Sequence, residues 1–244
     1  MTAVVSGQSD IGLAGPESCI YIYNQGKDDH PVVFGQLTAC DGAFLMGRED
    51  VSFNWEDLRG KTIIGGRKGG VPEMTLEYVL RQHGLEPQKD VIVDTSVQFN
   101  MMAGAFTGGQ GDYVTLFEPA ATQVVTSGEG YILCSIGAES GAIPYTAYFA
   151  SQSYTAEHDD VIAAFCRAIA KALDWVDSHT DREVAEMQAL SDKEGNNFTI
   201  APWDYYYYAE KVRKDKYNLD EGLVSQYFHV DSVRKGIFSM AKKL

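Results

Sequence analysis

From Asp10 to Ile136 short apolar runs alternate with amphipathic stretches, and glycine or proline punctuates most of the joints. This alternation calls for an α/β fold with mostly parallel, doubly covered sheets, because parallel neighbours need a crossover and that crossover is usually a helix. The expected strands are Asp10–Ala14, Val32–Leu37, Gly42–Gly47, Lys61–Ile64, Val91–Val93, Asp112–Phe117 and Tyr131–Ile136. Met1–Ser6 and Ser18–Gln25 read as helices stopped by Gly7 and Gly26, since glycine takes the left-handed cap without strain. Phe53–Gly60 supplies one helical turn. In the helix opened by Pro72, Leu76, Val79, Leu80 and His83 fall at i, i+3, i+4 and i+7, a core-facing stripe closed at Gly84. Ser96 is placed to cap a helix carrying Phe99, Met102, Ala103 and Phe106 as a second stripe. After Pro144 the strand Tyr145–Ala150 gives way to helices over Asp159–Ser178, Asp181–Leu190, Trp203–Lys214 and Asp220 onward. Composition thus shifts from α/β to all-α.

The 244 residues carry 20 Lys+Arg against 34 Asp+Glu, a formal net charge of −14, which disfavours a nucleic acid or an anionic membrane as partner. An apolar share of 45% belongs to a folded chain with a real core. No run approaches the roughly 20 apolar residues that span a bilayer. Met1–Asp10 shows no basic start followed by an apolar stretch, so the chain as written is expected to be neither inserted nor exported. Cys19, Cys40, Cys134 and Cys166 are scattered and read as reduced thiols; His30, His83, His158, His179 and His229 form no HExxH or His/Cys pair. GxSxG, GxGxxG and GxxxxGK[ST] are missing as well, so neither a metal nor a cofactor is expected.

The most chemical stretch is Gly65–Gly70, running into the helix at Pro72. Backbone N–H groups at a helix start, beside Arg67 and Lys68, can seat a small anion or polar head group; a plain tight turn is the equal alternative. Gly15-Pro16-Glu17 and Glu118-Pro119 have the same strand-then-helix form. Open α/β sheets place ligands at such carboxyl ends of strands. The four tyrosines 205–208 circle a helix, so packing is the role for most of them. The sequon at Asn197 carries no weight.

Four stretches in this order carry a resemblance: Val5–Glu17, Trp55–Lys61 with Ile64–Pro72, Gly111–Pro119, and Ile143–Tyr148. They resemble the solute-binding proteins of ABC importers in the nitrate, sulfonate, taurine and thiamine-pyrimidine group. The resemblance implies a periplasmic-binding-protein type II fold of two α/β lobes, with mostly parallel sheets and a helical C-terminal region. Residues 1–40 with 148–244 would form the first lobe and 41–147 the second, joined by crossings near Leu37–Gly47 and Ile143–Ala150. It implies ligand contacts at Gly15, Pro16 and Glu17, at Cys40 and Asp41 on the first crossing, at Arg67, Lys68, Gly69, Gly70 and Val71, and at Glu118 and Tyr145. Gly70 and Val71 offer only backbone donors where sulfonate binders often carry hydroxyls. The partners implied are a small solute and the permease and ATPase subunits of an importer, and the implied location of the full-length protein is extracytoplasmic, periplasmic or lipid-anchored. Such proteins normally begin with an export signal and a strand-helix-strand unit, so the first unit of lobe one is expected to be missing here. Two alternatives share the fold: an enzyme like the thiamine-pyrimidine synthases, whose cysteine-rich stretch is absent, and a cytoplasmic ligand sensor.

Overall fold

The computed structural model describes residues 1–196, 198–200 and 205–217. Along the chain come α1 (Thr2–Val5), β1 (Ile11–Ala14), α2 (Glu17–Asn24), β2 (Pro31–Thr38), β3 (Phe44–Gly47), β4 (Thr62–Ile64), α3 (Val71–Gln82) and β5 (Ile92–Asp94). Then follow α4 (Met102–Thr107), β6 (Tyr113–Leu116), α5 (Ala120–Thr126), β7 (Tyr131–Ser135), α6 (Ile136–Ser140), β8 (Thr146–Ser151), α7 (Gln152–Glu157), α8 (Asp159–Lys193) and α9 (Tyr205–Tyr217). Short 3-10 turns occupy Trp55–Leu58 and Phe99–Met101. Two compact units result, Met1–Asp174 and Trp175–Leu244, and the division falls inside 148–244, the stretch expected to complete the first lobe.

The first unit holds two sheets, one per lobe: β1-β8-β2 and β5-β4-β6-β3-β7. Strand alternation decides the faces of the larger sheet. Leu45 and Ile63 turn toward Leu76, Val79 and Leu80 of α3 and Ile136 of α6, whereas Phe44, Met46, Ile64 and Val114 pack on Met102 and Phe106 of α4 and Ala121 and Val124 of α5. His83, the fourth member of the α3 stripe, stacks on Trp55 with ring centroids 4.2 Å apart, and its Nε2 lies 2.8 Å from Glu139 Oε2. In the smaller sheet, Phe149 is fully buried against Val4 of α1 and Cys19 of α2. On the opposite face Tyr148 and Phe34 meet Phe165 of α8, with ring centroids 4.9 and 5.9 Å away. Gly12 is required where it stands, because a Cβ there would lie 2.3 Å from the Phe149 ring.

Residues 39–43 and 141–145 connect the two sheets. The two crossings run side by side, with Ile143 N–H donating to the Ala39 carbonyl at 2.9 Å and Tyr145 N–H to that of Thr38 at 3.0 Å. The second crossing begins before Ile143, because α6 ends at Ser140, and it is over by Thr146, where β8 begins.

Three expectations need correction. Of the six strand pairings only β4–β5 and β4–β6 are parallel and the other four are antiparallel, so the larger sheet is mixed and the smaller wholly antiparallel, rather than both mostly parallel. The crossover argument governs strands joined through a helix in one sheet; β3 and β8 arrive from the other sheet and run against both neighbours. Ser96 caps no helix: its N–H and hydroxyl both donate to Asp94 Oδ1, at 2.9 and 2.6 Å, and Phe99 is 57% exposed. The helices expected over Asp159–Ser178 and Asp181–Leu190 are one, α8. No glycine or proline interrupts it, and the hydroxyls of Ser178 and Thr180 donate back to the carbonyls of Trp175 and Val176, at 2.9 and 2.8 Å, so they do not compete for the ladder.

In the second unit, Met187, Ile200 and Tyr208 form a small core with Val184, Ala209 and Val212. Tyr208 Oη accepts from Ser191 Oγ at 3.2 Å and Asn196 Nδ2 at 3.1 Å, the polar tip of a buried ring finding partners. Lys211 pairs with Glu194 at 2.7 Å and Lys216 with Glu186 at 2.6 Å. Asn197, Trp203 and the helix expected from Asp220 onward lie outside the described residues, as do the side chains of Tyr205, Tyr206 and Tyr207.

Candidate functional site

Helix α2 of the first lobe meets the loop 65–70 and helix α3 of the second. Tyr21 Oη donates to the Gly69 carbonyl at 2.9 Å and lies 3.9 Å from Met74 Sδ, so one side chain bridges the two lobes. The same elements enclose a cavity of about 260 Å³ lined by Pro16, Glu17, Ile20, Val71, Met74, Thr75 and Tyr78, with Ile143 and Pro144 of the second crossing. Its wall is almost wholly apolar, as ligand clefts usually are.

Of the residues singled out in the sequence, Pro16, Glu17 and Val71 line this cavity. Gly15 lets the Glu17 carboxylate fold back over the chain, since a Cβ there would stand 2.0 Å from Oε2. The glycine loop behaves differently from an open anion seat. Gly69 N–H donates to Glu73 Oε2 at 3.0 Å, and Gly70 N–H closes a turn onto the Arg67 carbonyl at 3.1 Å. Glu73 is buried, which raises its carboxyl above the usual range, and it occupies with its own charge the place an anion would take. Arg67 and Lys68 point outward and are exposed.

On the first crossing Cys40 is exposed, with its Sγ packed where a Cβ on Gly137 would come within 2.6 Å. Asp41 is only 4% exposed. Its Oδ1 accepts from Ala43 N–H at 2.7 Å, and burial pushes the carboxyl up to about 6. Tyr145 faces it from the second crossing. Burial first, then the charges of Asp41, Glu17 and Cys40, raise the phenol well above its ordinary value. The phenol faces the Asp41 carboxylate as its side-chain partner, which works against burial in the carboxyl and adds to burial in the phenol, while Glu17 Oε2 is a buried oxygen without a hydrogen bond. Of these residues only Glu17 lines the cavity. The two oxygens of Glu118 have partners of their own, accepting from Thr122 N–H at 3.1 Å and Thr122 Oγ1 at 2.9 Å in the first turn of α5.

The cavity also uses residues not singled out in the sequence: Ile20, Met74, Thr75 and Tyr78. A signal existed on α3. Val71, Met74, Thr75 and Tyr78 fall at i, i+3, i+4 and i+7, a second face beside the core stripe.

A model of the NMT1-like family matches residues 54–190, and one of Peptidase family M3 matches residues 140–244. YtlA of Bacillus subtilis (strain 168), described as a binding protein, is 45% identical over 187 residues, which are 76% of this chain and 56% of YtlA. The chain therefore spans little more than half the length of that relative. Dipeptidyl carboxypeptidase of Escherichia coli (strain K12) is 41% identical over 63 residues, 25% of this chain and 9% of the peptidase. Among solved structures, the periplasmic aliphatic sulphonate binding protein SsuA from Escherichia coli superposes with a TM-score of 0.63 at 20% identity, covering 86% of this chain and 68% of that one. The family match takes in all of β4–β8 and most of α8. With that match over more than half of its residues, and with the two-lobed fold of a periplasmic binding protein, the chain belongs to the NMT1-like family.

Proposed function

We propose that the chain is the solute-binding part of an ABC import system, capturing a small organic solute between its lobes and presenting it, outside the cytoplasmic membrane, to permease and ATPase subunits. One observation carries the reading: an apolar cavity lies between α2 and α3, at the paired crossings that would act as a hinge, and it is walled by both lobes. Gly15, Pro16, Glu17, Asp41, Val71 and Tyr145 form the contact set, with Cys40 at its margin. Arg67, Lys68, Gly69 and Gly70 shape the loop beside it, and Glu118 holds the start of α5.

Binding rather than catalysis suits the thiols. Burial pushes Cys134 up to about 12 and raises Cys19, which leaves both as unreactive thiols. The peptidase-like likeness concerns about one tenth of a peptidase, and no HExxH pair of metal ligands occurs in these 244 residues. A melting screen against small solutes tests the reading: a true ligand at 100 times its Kd stabilises the folded chain by roughly 2.7 kcal/mol. No shift with any solute class would defeat it.

A further inference from the structure

The cavity between α2 and α3 is uneven in its chemistry. Seven of the nine described residues in its wall are apolar or aromatic, and none is Lys, Arg or His. The other two are Thr75, whose hydroxyl is spent on the Val71 carbonyl at 2.7 Å, and Glu17, whose Oε2 is buried without a hydrogen bond. Arg67 and Lys68, the cations of the adjoining loop, are exposed and stand outside the wall. In that loop Gly69 N–H is already held by Glu73 and Gly70 N–H by the Arg67 carbonyl. An anion entering the cavity leaves its hydration shell for a wall whose single charge repels it. A cation gains that one carboxylate only, and the attraction of an isolated pair hardly offsets the loss of both hydration shells. An uncharged solute meets neither penalty. Ile20, Met74 and Tyr78 are exposed, apolar surface that an apolar body takes out of water. At about 260 Å³ the cavity exceeds the roughly 150 Å³ that encloses benzene, which leaves room for a ring and a substituent.

We propose that this cleft takes an uncharged solute with an apolar body, about the size of a ring bearing one substituent, and that Glu17 is the residue that turns anions away. The body lies against Ile20 of the first lobe and Val71, Met74 and Tyr78 of the second, so one solute touches both lobes. Glu17, in the first turn of α2, sets the sign of charge that is refused, and a solute bearing a sulphonate or carboxylate group is excluded. The inference rests on the solute-capture reading and narrows it to one ligand class.

The test uses the whole chain at pH 7.5 and constant ionic strength, titrated by calorimetry and melting with benzyl alcohol and cyclohexanol as uncharged probes, benzylamine as the cation, and benzenesulfonate and benzoate as the anions. The proposal expects the uncharged probes to bind and raise the melting temperature, benzylamine to bind no more tightly than benzyl alcohol, and the anions to bind at least ten-fold more weakly. Ile20→Glu, at an exposed position of the wall, should weaken binding of the uncharged probes at least ten-fold while the circular dichroism and the ligand-free melting temperature stay near those of the parent. Glu17→Gln should narrow the ratio of benzyl alcohol to benzenesulfonate affinity at least five-fold. Tighter binding of either charged class than of the uncharged probes overturns the inference and leaves solute capture standing. Uncharged binding undiminished in Ile20→Glu places it elsewhere on the molecule, and an unchanged ratio in Glu17→Gln takes the discrimination away from Glu17; each overturns the inference. Silence from every probe, and from a broad screen of small solutes, overturns this inference and the solute-capture reading together.

Discussion

The two lobes are built from the same kinds of element but not to the same depth. In the five-stranded lobe both faces of the sheet are covered, and Leu45, Ile63, Leu76 and Phe106 have no exposed surface at all. In the three-stranded lobe Phe149 clusters, among the described residues, with buried Val4 and Cys19 and with partly buried Met1 and Ala14, while Leu13 and Val33 on the edge strands remain exposed. Stability grows with apolar area removed from water, at about 25 cal/mol per Å², so the second lobe is the anchor and the first is the half that opens most easily. The Tyr21 hydroxyl bond to Gly69 is one of the contacts between the two halves.

The largest effect should come from the anchor. Phe106→Ala, which empties a fully buried ring site beneath Arg48, should cost roughly 3 to 5 kcal/mol in urea unfolding and lower the transition of the whole first unit. Phe149→Ala should instead melt the small lobe alone and leave hydrogen exchange protection on β4 and β6 intact. If the two variants unfold the molecule alike, the lobes are one cooperative body and the contrast between them fails.

Next in size is the titration of Asp41. Its folded pKa of about 6 lies above the ordinary 3.8, so its contribution to stability is present in full below about 4 and is lost as pH rises through 6. Two units correspond to roughly 3 kcal/mol. Asp41→Asn should therefore gain on the parent chain between pH 4 and 7.5 by up to that amount, measured as the difference between the two urea curves. Neighbouring Glu17, Cys40 and Tyr145 set the same environment in both proteins. A difference that does not change with pH would mean that Asp41 keeps an ordinary pKa.

Glu118→Ala removes both bonds to Thr122 in the first turn of α5 and should cost about 1 kcal/mol of second-lobe stability. Solute affinity should follow only if Glu118 also reaches the cleft, so a calorimetric titration alongside the melt separates the two roles. The smallest change is expected for Tyr21→Phe. Losing this exposed hydroxyl bond to Gly69 should cost about 0.5 kcal/mol, seen as faster hydrogen exchange in α2 with α3 unaffected. Equal loosening on both sides would remove the asymmetry between the lobes.

Much of this was legible before any coordinates. The apolar runs and glycine stops located the elements because hydrophobic period and left-handed caps are local properties: Gly7, Gly26 and Gly84 all take positive φ where helices were expected to end. The stripe Leu76, Val79, Leu80 likewise went to the core. Pairing direction was not local. β3 and β8 look like any other strand in the chain, and only their arrival from the opposite lobe makes them run antiparallel to their neighbours. The site divides in the same way. Residue type marked Gly15, Pro16, Glu17 and the glycine loop as chemically capable, since backbone freedom and charge are written in the chain. Whether a given N–H or carboxylate is free for a ligand depends on what packs beside it: Glu73 takes the Gly69 donor, Thr122 takes Glu118, Asp41 and Tyr145 face each other, and Glu17 lines the cavity. Capability follows from composition and order, but availability is a property of neighbours far apart in sequence, and only folding brings those neighbours together.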